Sequence, residues 1–257
     1  MSEMMSAWSP RVPVVLMYHS VSPYTVDPYL VTVRPERLDR QMHWLARRGL
    51  TGVSVRQLLM MRRSGSGGGL VGLTFDDGYA DFAVYALPIL QRYGFTATVF
   101  PVARRLGQDN AWDADGPRKP LLTPEQLQQV AAAGMEIGSH GLRHVSLPAT
   151  TDADLAEEIR HSRQVLREIS SQEVAGFCYP WGYVDGRVLD QVRAAGYSYG
   201  CAISRSTLTG RYALPRNHVG DADTSMRLWA KGVCHWLGWD YSRRSSKIEP
   251  KLGARQQ

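Results

Sequence analysis

The stretch LVGLTFDDGYADFAVYALPILQRYGFTATVFPV, residues 70–102, decides the fold. It opens on an apolar run, Leu70 to Phe75, of the length of a buried strand, and stops at two adjacent carboxylates and a glycine, Asp76, Asp77 and Gly78. A helical segment follows and ends at Gly94, and the β-rich run TATVFPV comes next. Strand, helix and strand within about thirty residues is the parallel crossover unit.

The same rhythm extends in both directions. Upstream, VPVVLMY (12–18) reads as a strand and PERLDRQMHWLARRG (35–49) as an amphipathic helix. Leu38, Met42 and Leu45 lie on one face of that helix and Gly49 stops it. VSVRQLLMMRR (53–63) reads as a short strand running into a short helix. Downstream, TPEQLQQVAAAG (123–134) starts with Thr123 as N-cap, Pro124 at the first helical position and Gln126 closing a capping box. Strand MEIGSH, helix DADLAEEIRHSRQVLREIS, strand GFCYP, helix GRVLDQVRAAG and strand YSYGCAI complete the series to residue 203. Such alternation predicts an α/β fold, a parallel sheet with helices outside, wound open or closed into a barrel. SGSGGG (64–69) lacks the Gly-Lys-Ser/Thr of a phosphate loop and reads as a connection within the domain.

Composition narrows the class. The chain has 257 residues, 44% hydrophobic and 21% charged, enough for one large α/β domain. Its three cysteines, Cys178, Cys201 and Cys234, form no CxxC pair, which argues against a disulfide scaffold or a cysteine-built zinc site. The N-terminal residues show no basic region followed by a long apolar core, and no run is long enough to span a bilayer, so the expected location is the cytoplasm. The net charge is +6, but seven basic residues against two acidic ones from Met226 onward supply most of it. The body is close to neutral, so nucleic acid is not an expected partner.

In parallel α/β folds function sits at the C-terminal ends of the strands. His19, Asp76 and Asp77, Ser139 and His140, and Tyr179 each fall just after an apolar strand run. In SHGLRH, His140 and His144 are four residues apart, a spacing that puts two imidazoles on one face if a helical turn starts there. Two histidines and one aspartate form a catalytic zinc set with a position open for water, and the same set also serves non-haem iron. This accounts for the paired carboxylates. One aspartate can be a ligand and its neighbour a base, and a cation relieves the repulsion between them.

TFDDG (74–78), the His-x-x-x-His of 140–144 and FCYPWG (177–182) resemble the motifs of the polysaccharide deacetylase family, the NodB-homology deacetylases, over roughly residues 12–219. The resemblance implies a distorted (β/α) barrel of about seven strands. It implies a metal-dependent hydrolase that removes acetyl groups from N-acetylated amino sugars. Asp76 becomes the general base, Asp77, His140 and His144 the ligands of a divalent metal (zinc first, with cobalt, nickel or iron as alternatives), and the Tyr179 backbone N–H part of the oxyanion hole. The layout of LMYHS and the helix after it is similar to the subgroup acting on poly-N-acetylglucosamine, in which the leucine–histidine motif is permuted to the N-terminus. His19 is then the preferred acid for the departing amine, with His218 in LPRNHV as its rival. Two departures stand out. The arginine that orients the base in many members is missing from FCYPWG, and Arg216 is the candidate replacement. The usual Ser or Thr after the first ligand histidine is Gly141.

The expected partner is a carbohydrate or glycoconjugate. Tyr79, Pro180, Trp181 and His218 are expected to line its site, with Trp112 and Tyr183 as further aromatic candidates for stacking on sugar rings. Each aromatic can equally be ordinary packing. The long loop 103–122 is the expected rim. Residues 10–222 form the expected catalytic domain and 223–257 a basic, tryptophan-rich tail. That tail either contacts an anionic membrane peripherally or packs as a helix on the domain, the reading preferred here. An O-acetyl sugar esterase and a silent carbohydrate-binding protein on the same fold are the competing functional readings.

Overall fold

The structure, a computed structural model, describes residues 12–237. Its centre is β5 (Leu70–Asp77), the longest strand, flanked on one edge by β1 (Val15–Tyr18). Its other edge is shared. β4 (Thr51–Val53) pairs with its first residues and β6 (Thr98–Pro101) with its last. β7 (Glu136–Ile137) continues beyond β6, and β10 (Asn217–His218) lies outside β1. All these ladders are parallel. β5 is buried along nearly its whole length, which explains its near-continuous apolar sequence. Gly72 in its middle leaves little room for a side chain: a Cβ there would stand 3.0 and 3.1 Å from Leu58 and Val15.

Two small parallel sheets complete the strands, β2 (Ser20–Val21) with β3 (Thr32–Val33) and β8 (Gly176–Cys178) with β9 (Tyr199–Cys201). Single-residue bridges, Ser139 to Phe177 and Cys201 to Leu214, link β8 and β9 to the neighbouring chain segments. The α/β class with parallel strands is therefore as expected. A continuously hydrogen-bonded barrel of about seven strands is not what these ladders draw, because pairing is interrupted at those one-residue bridges.

The helices cover the sheet: α1 (Pro35–Arg47), α2 (Val55–Arg63), α3 (Leu87–Arg92), α4 (Pro124–Ala132), α5 (Asp152–Ser170), α6 (Gly186–Ala194) and α7 (Ser225–Trp236). The Thr123–Gln126 capping box is present, with Pro124 at the first turn. The segment after Asp81 departs from the expected regular helix. Phe82–Ala86 forms a wide turn in which the Leu87 amide reaches back to the Phe82 carbonyl before α3 begins. Pro88 gives the reason, since it has no N–H to donate and its ring crowds the preceding turn.

α7 is docked on the domain: Lys231 donates to Asp223 at 2.6 Å, Arg205 donates to the His235 carbonyl, and Gln41 of α1 donates to the Asp223 carbonyl. Met226 and Trp229 remain exposed on it. Trp239 and the basic end of the tail lie outside the described residues. Among the described residues no helix is long and apolar enough to cross a membrane.

Candidate metal centre and active site

Asp76 and Asp77 are the last two residues of β5, and both are buried. In a regular strand they would point to opposite faces. Asp77 instead has φ 69° and Gly78 φ 74°, so the chain leaves the strand through two left-handed residues. A Cβ at Gly78 would also stand 2.7 Å from Pro101, so position 78 demands glycine on two grounds.

His140 and His144 meet Asp77, but not through the expected helical turn. Residues 140–144 form an irregular loop after β7, and His144 itself has φ 61°. The Nε2 atoms of His140 and His144 stand 3.3 and 3.4 Å from the same Asp77 oxygen, Oδ1. His140 donates Nδ1–H to the Cys178 carbonyl at 2.8 Å, which orients the ring with Nε2 toward Asp77. The His144 ring lies 4.3 Å from both Trp112, stacked on it, and Trp181, edge-on to it.

The donor set fits a divalent cation. Three buried ligand atoms of Asp77, His140 and His144 converge, the combination that leaves a tetrahedral ion one open position. His140 and Asp77 hold each other charged: burial would lower His140, but Cys178 and the hydrogen bond to Asp77 raise it well above the ordinary imidazole value. Burial would raise the Asp77 carboxyl, but the hydrogen bonds to both histidines hold it well below the ordinary range. Burial lowers His144 and favours its neutral, ligating form. A second set, Asp76, His140 and Cys178, also converges. It suits a cation poorly, because Arg216 lies 3.1 Å from the Cys178 sulfur and burial pushes that thiol up to about 11.

Asp76 is held differently. Arg216 Nη1 and Nη2 donate to its two oxygens at 2.7 and 2.8 Å, a bidentate fork. Arg216 is itself anchored by donating to the Ala202 carbonyl and to Thr74 Oγ1. Burial alone would raise the Asp76 carboxyl, but the guanidinium overrides it and holds the group below the ordinary carboxylate value. Cys178 lies against both partners, within 3.4 Å of Asp76, and its short side chain leaves room for an arginine arriving from the far end of the chain.

His19, directly after β1, places Nε2 4.0 Å from Asp76 Oδ2, and its own Nδ1 is buried without a partner. The His218 ring is 6.1 Å from that of His19. Burial, followed by the charges of His19 and Lys231, pushes His218 down to about 4, which favours its neutral form at neutral pH.

Two expectations are corrected. The Tyr179 amide does not offer a free N–H: it donates to the Cys201 carbonyl at 3.2 Å, while the Tyr179 hydroxyl donates to the Tyr212 carbonyl. Tyr79 offers no face to a sugar, being 1% exposed and hydrogen-bonded to Asp113 at the base of the 103–122 loop. Pro180 is buried as well, whereas Trp181 is half-buried beside His144 and Tyr183 is exposed.

Two acidic residues here were not singled out from the sequence. Asp113, bonded to Tyr79 and Asn110, is pushed up to about 6 by burial and by the charge of Asp77. Glu158 is fully buried beneath the His140–His144 loop. Its signal is a carboxylate on the apolar stripe Leu155, Ile159 and Leu166 of α5.

The site has relatives. Over 223 residues the chain is 28% identical to YxkH of Bacillus subtilis, which is named among the polysaccharide deacetylases; the match covers 83% of this chain and 75% of that protein. Poly-beta-1,6-N-acetyl-D-glucosamine N-deacetylase of Staphylococcus aureus is 22% identical over 205 residues, covering 74% and 68%. The fold is shared with the Streptococcus pyogenes deacetylase PplD (TM-score 0.73, 22% identity, 86% and 98% covered) and with IcaB of Ammonifex degensii (TM-score 0.69, 20% identity, 86% and 97% covered). The family model described as polysaccharide deacetylase matches residues 64–200, more than half of the chain and the stretch holding both aspartates and both histidines, and the chain belongs to that family.

Proposed function

We propose that this protein hydrolyses the N-acetyl group of an N-acetylated amino sugar, of the N-acetylglucosamine type, in a saccharide or glycoconjugate. The observation that carries the reading is the juxtaposition of the Asp77, His140 and His144 ligand set with an arginine-held Asp76 and with His19. Asp77, His140 and His144 would hold the divalent metal, zinc first, which when bound polarises a carbonyl and acidifies a water.

The protein's own groups supply the rest. Asp76, kept ionised by Arg216, accepts the proton of the attacking water. His19 gives a proton to the nitrogen as the amide C–N bond breaks, so that acetate and a free amino sugar leave. The Tyr179 N–H is spent on the Cys201 carbonyl and is not free for the oxyanion. Trp181 and Trp112 offer faces for the sugar. The S. aureus relative, named for N-deacetylation of a poly-N-acetylglucosamine, supports this substrate class.

The test separates amide from ester chemistry. A phenolate leaves without protonation, whereas an amine does not. His19→Ala should therefore cut amine release from N-acetylglucosamine oligomers by about 10²–10⁴-fold and spare turnover of an aryl acetate to within about threefold. Equal loss on both substrates would reject His19 as the acid.

A further inference from the structure

The loop that carries His140 and His144 has no regular secondary structure, yet it must hold two imidazoles in register with Asp77. Glu158, in the middle of α5, is fully buried beneath it. Its Oε2 accepts the Leu142 amide at 2.8 Å and the Arg143 amide at 3.1 Å, and its Oε1 accepts Arg143 Nε. One helical turn further on, Ser162 is joined to Ser139 Oγ at 2.9 Å, and that oxygen accepts the Gly141 amide. Of three successive backbone donors between the histidines, those of residues 142 and 143 are thus satisfied from α5 itself, and that of residue 141 by Ser139, which α5 holds through Ser162.

Gly141 is part of the same arrangement. It has φ 78°, and a Cβ there would stand 3.2 Å from Glu158 Oε2. A side chain at 141 would press on the carboxylate, so the glycine admits the glutamate. Removing the carboxylate would leave two N–H groups without their acceptor, and the loop could relieve that only by moving.

We propose that Glu158 is the positioning residue of the metal centre: through the Leu142 and Arg143 amides it sets the separation and aim of His140 and His144. It touches neither metal nor substrate. The inference rests on the metal site assigned above. Its chief element is the acceptor oxygen at Oε2, not the ion pair with Arg143, which is 40% exposed.

The test is zinc affinity of the chelator-stripped full chain, read by competition with a chromophoric chelator, with apo-protein circular dichroism as the fold control. Glu158→Ala should weaken zinc binding about 10–100-fold, the range for groups that orient metal ligands. Glu158→Gln retains an acceptor oxygen for the two amides and should stay within about threefold of the parent, as should Arg143→Met, which removes only the ion pair. If Glu158→Ala does not fold, Glu158→Asp takes its place, keeping the charge while withdrawing the oxygen, and the same loss is expected. Wild-type affinity in folded Glu158→Ala or Glu158→Asp would overturn the proposal, and so would a Glu158→Gln loss as large as that of Glu158→Ala. A parent chain that binds no zinc would instead reject the metal site itself, and this role with it.

Discussion

At the scale of single residues, the site depends on two buried carboxylates held in opposite ways. Asp77 faces two imidazoles, whereas Asp76 faces a guanidinium. The Arg216 fork has a consequence for pH. In the folded protein the Asp76 carboxyl sits below its ordinary value of about 4. The stability it contributes is therefore complete above that value and is lost as pH falls through the lower, folded one. In Arg216→Met the chief opponent of burial is gone and the carboxyl rises, so the acid limb of kcat/KM should move to higher pH. Stability should fall by about 3–5 kcal/mol, the cost of an uncompensated buried charge. A pH–rate profile whose acid limb stays in place would show that Arg216 does not control the base. Arg216 was legible as a candidate because FCYPWG lacks an arginine. The pairing was not, since it joins residues 140 positions apart. The role given to the Tyr179 amide failed for a related reason: which peptide N–H is free depends on the pairing of β8 with β9, and Cys201 is the partner that consumes it.

At the scale of elements, local signals read well wherever side chain and backbone are neighbours in sequence. The α4 capping box and the span of α5 follow from the letters alone. The capping oxygens should carry measurable energy. Asp185 accepts the Val188 amide at the start of α6, and Asp185→Ala should cost about 1 kcal/mol, a melting shift of about 2–4 °C in a domain of this size. No shift in thermal unfolding would show that α6 is held by packing alone. Packing sets other positions more severely. A Cβ on Gly176 would lie 2.2 Å from the buried Tyr199 ring, which is pinned by its bond to Glu136. Gly176→Ala should therefore destabilise by about 1–3 kcal/mol in chemical denaturation, the overpacking range. A neutral result would mean that β8 and β9 can part without cost. The His140–His144 loop marks the limit of sequence periodicity: i, i+4 spacing predicted a shared face, but a non-helical path with φ 61° at His144 brings the imidazoles together.

At the scale of the whole molecule, alternation of strands and helices was enough to give a parallel α/β fold with polar groups at the strand ends. The division into separate ladders was not readable, because the links between them are one-residue bridges at Ser139–Phe177 and Cys201–Leu214 that no local pattern announces. The tail is a helix up to Trp236, docked because Lys231 and His235 find the His218 carbonyl and Asn217 on the domain. A metal bound by Asp77, His140 and His144 ties β5 to the loop after β7, and so couples to global stability. Zinc at about a hundred times its dissociation constant should add about 2.7 kcal/mol, or about 5–10 °C in melting temperature. Asp77→Ala should abolish that increment.

The measurement that bears most directly on the account is acetate release from N-acetylglucosamine oligomers by chelator-stripped protein, with and without added Zn²⁺, beside Asp76→Asn. Release should require the metal and fall by at least about 10²-fold in the variant, the contribution of a positioned general base. Release that proceeds without metal, or that survives in Asp76→Asn, would contradict the account.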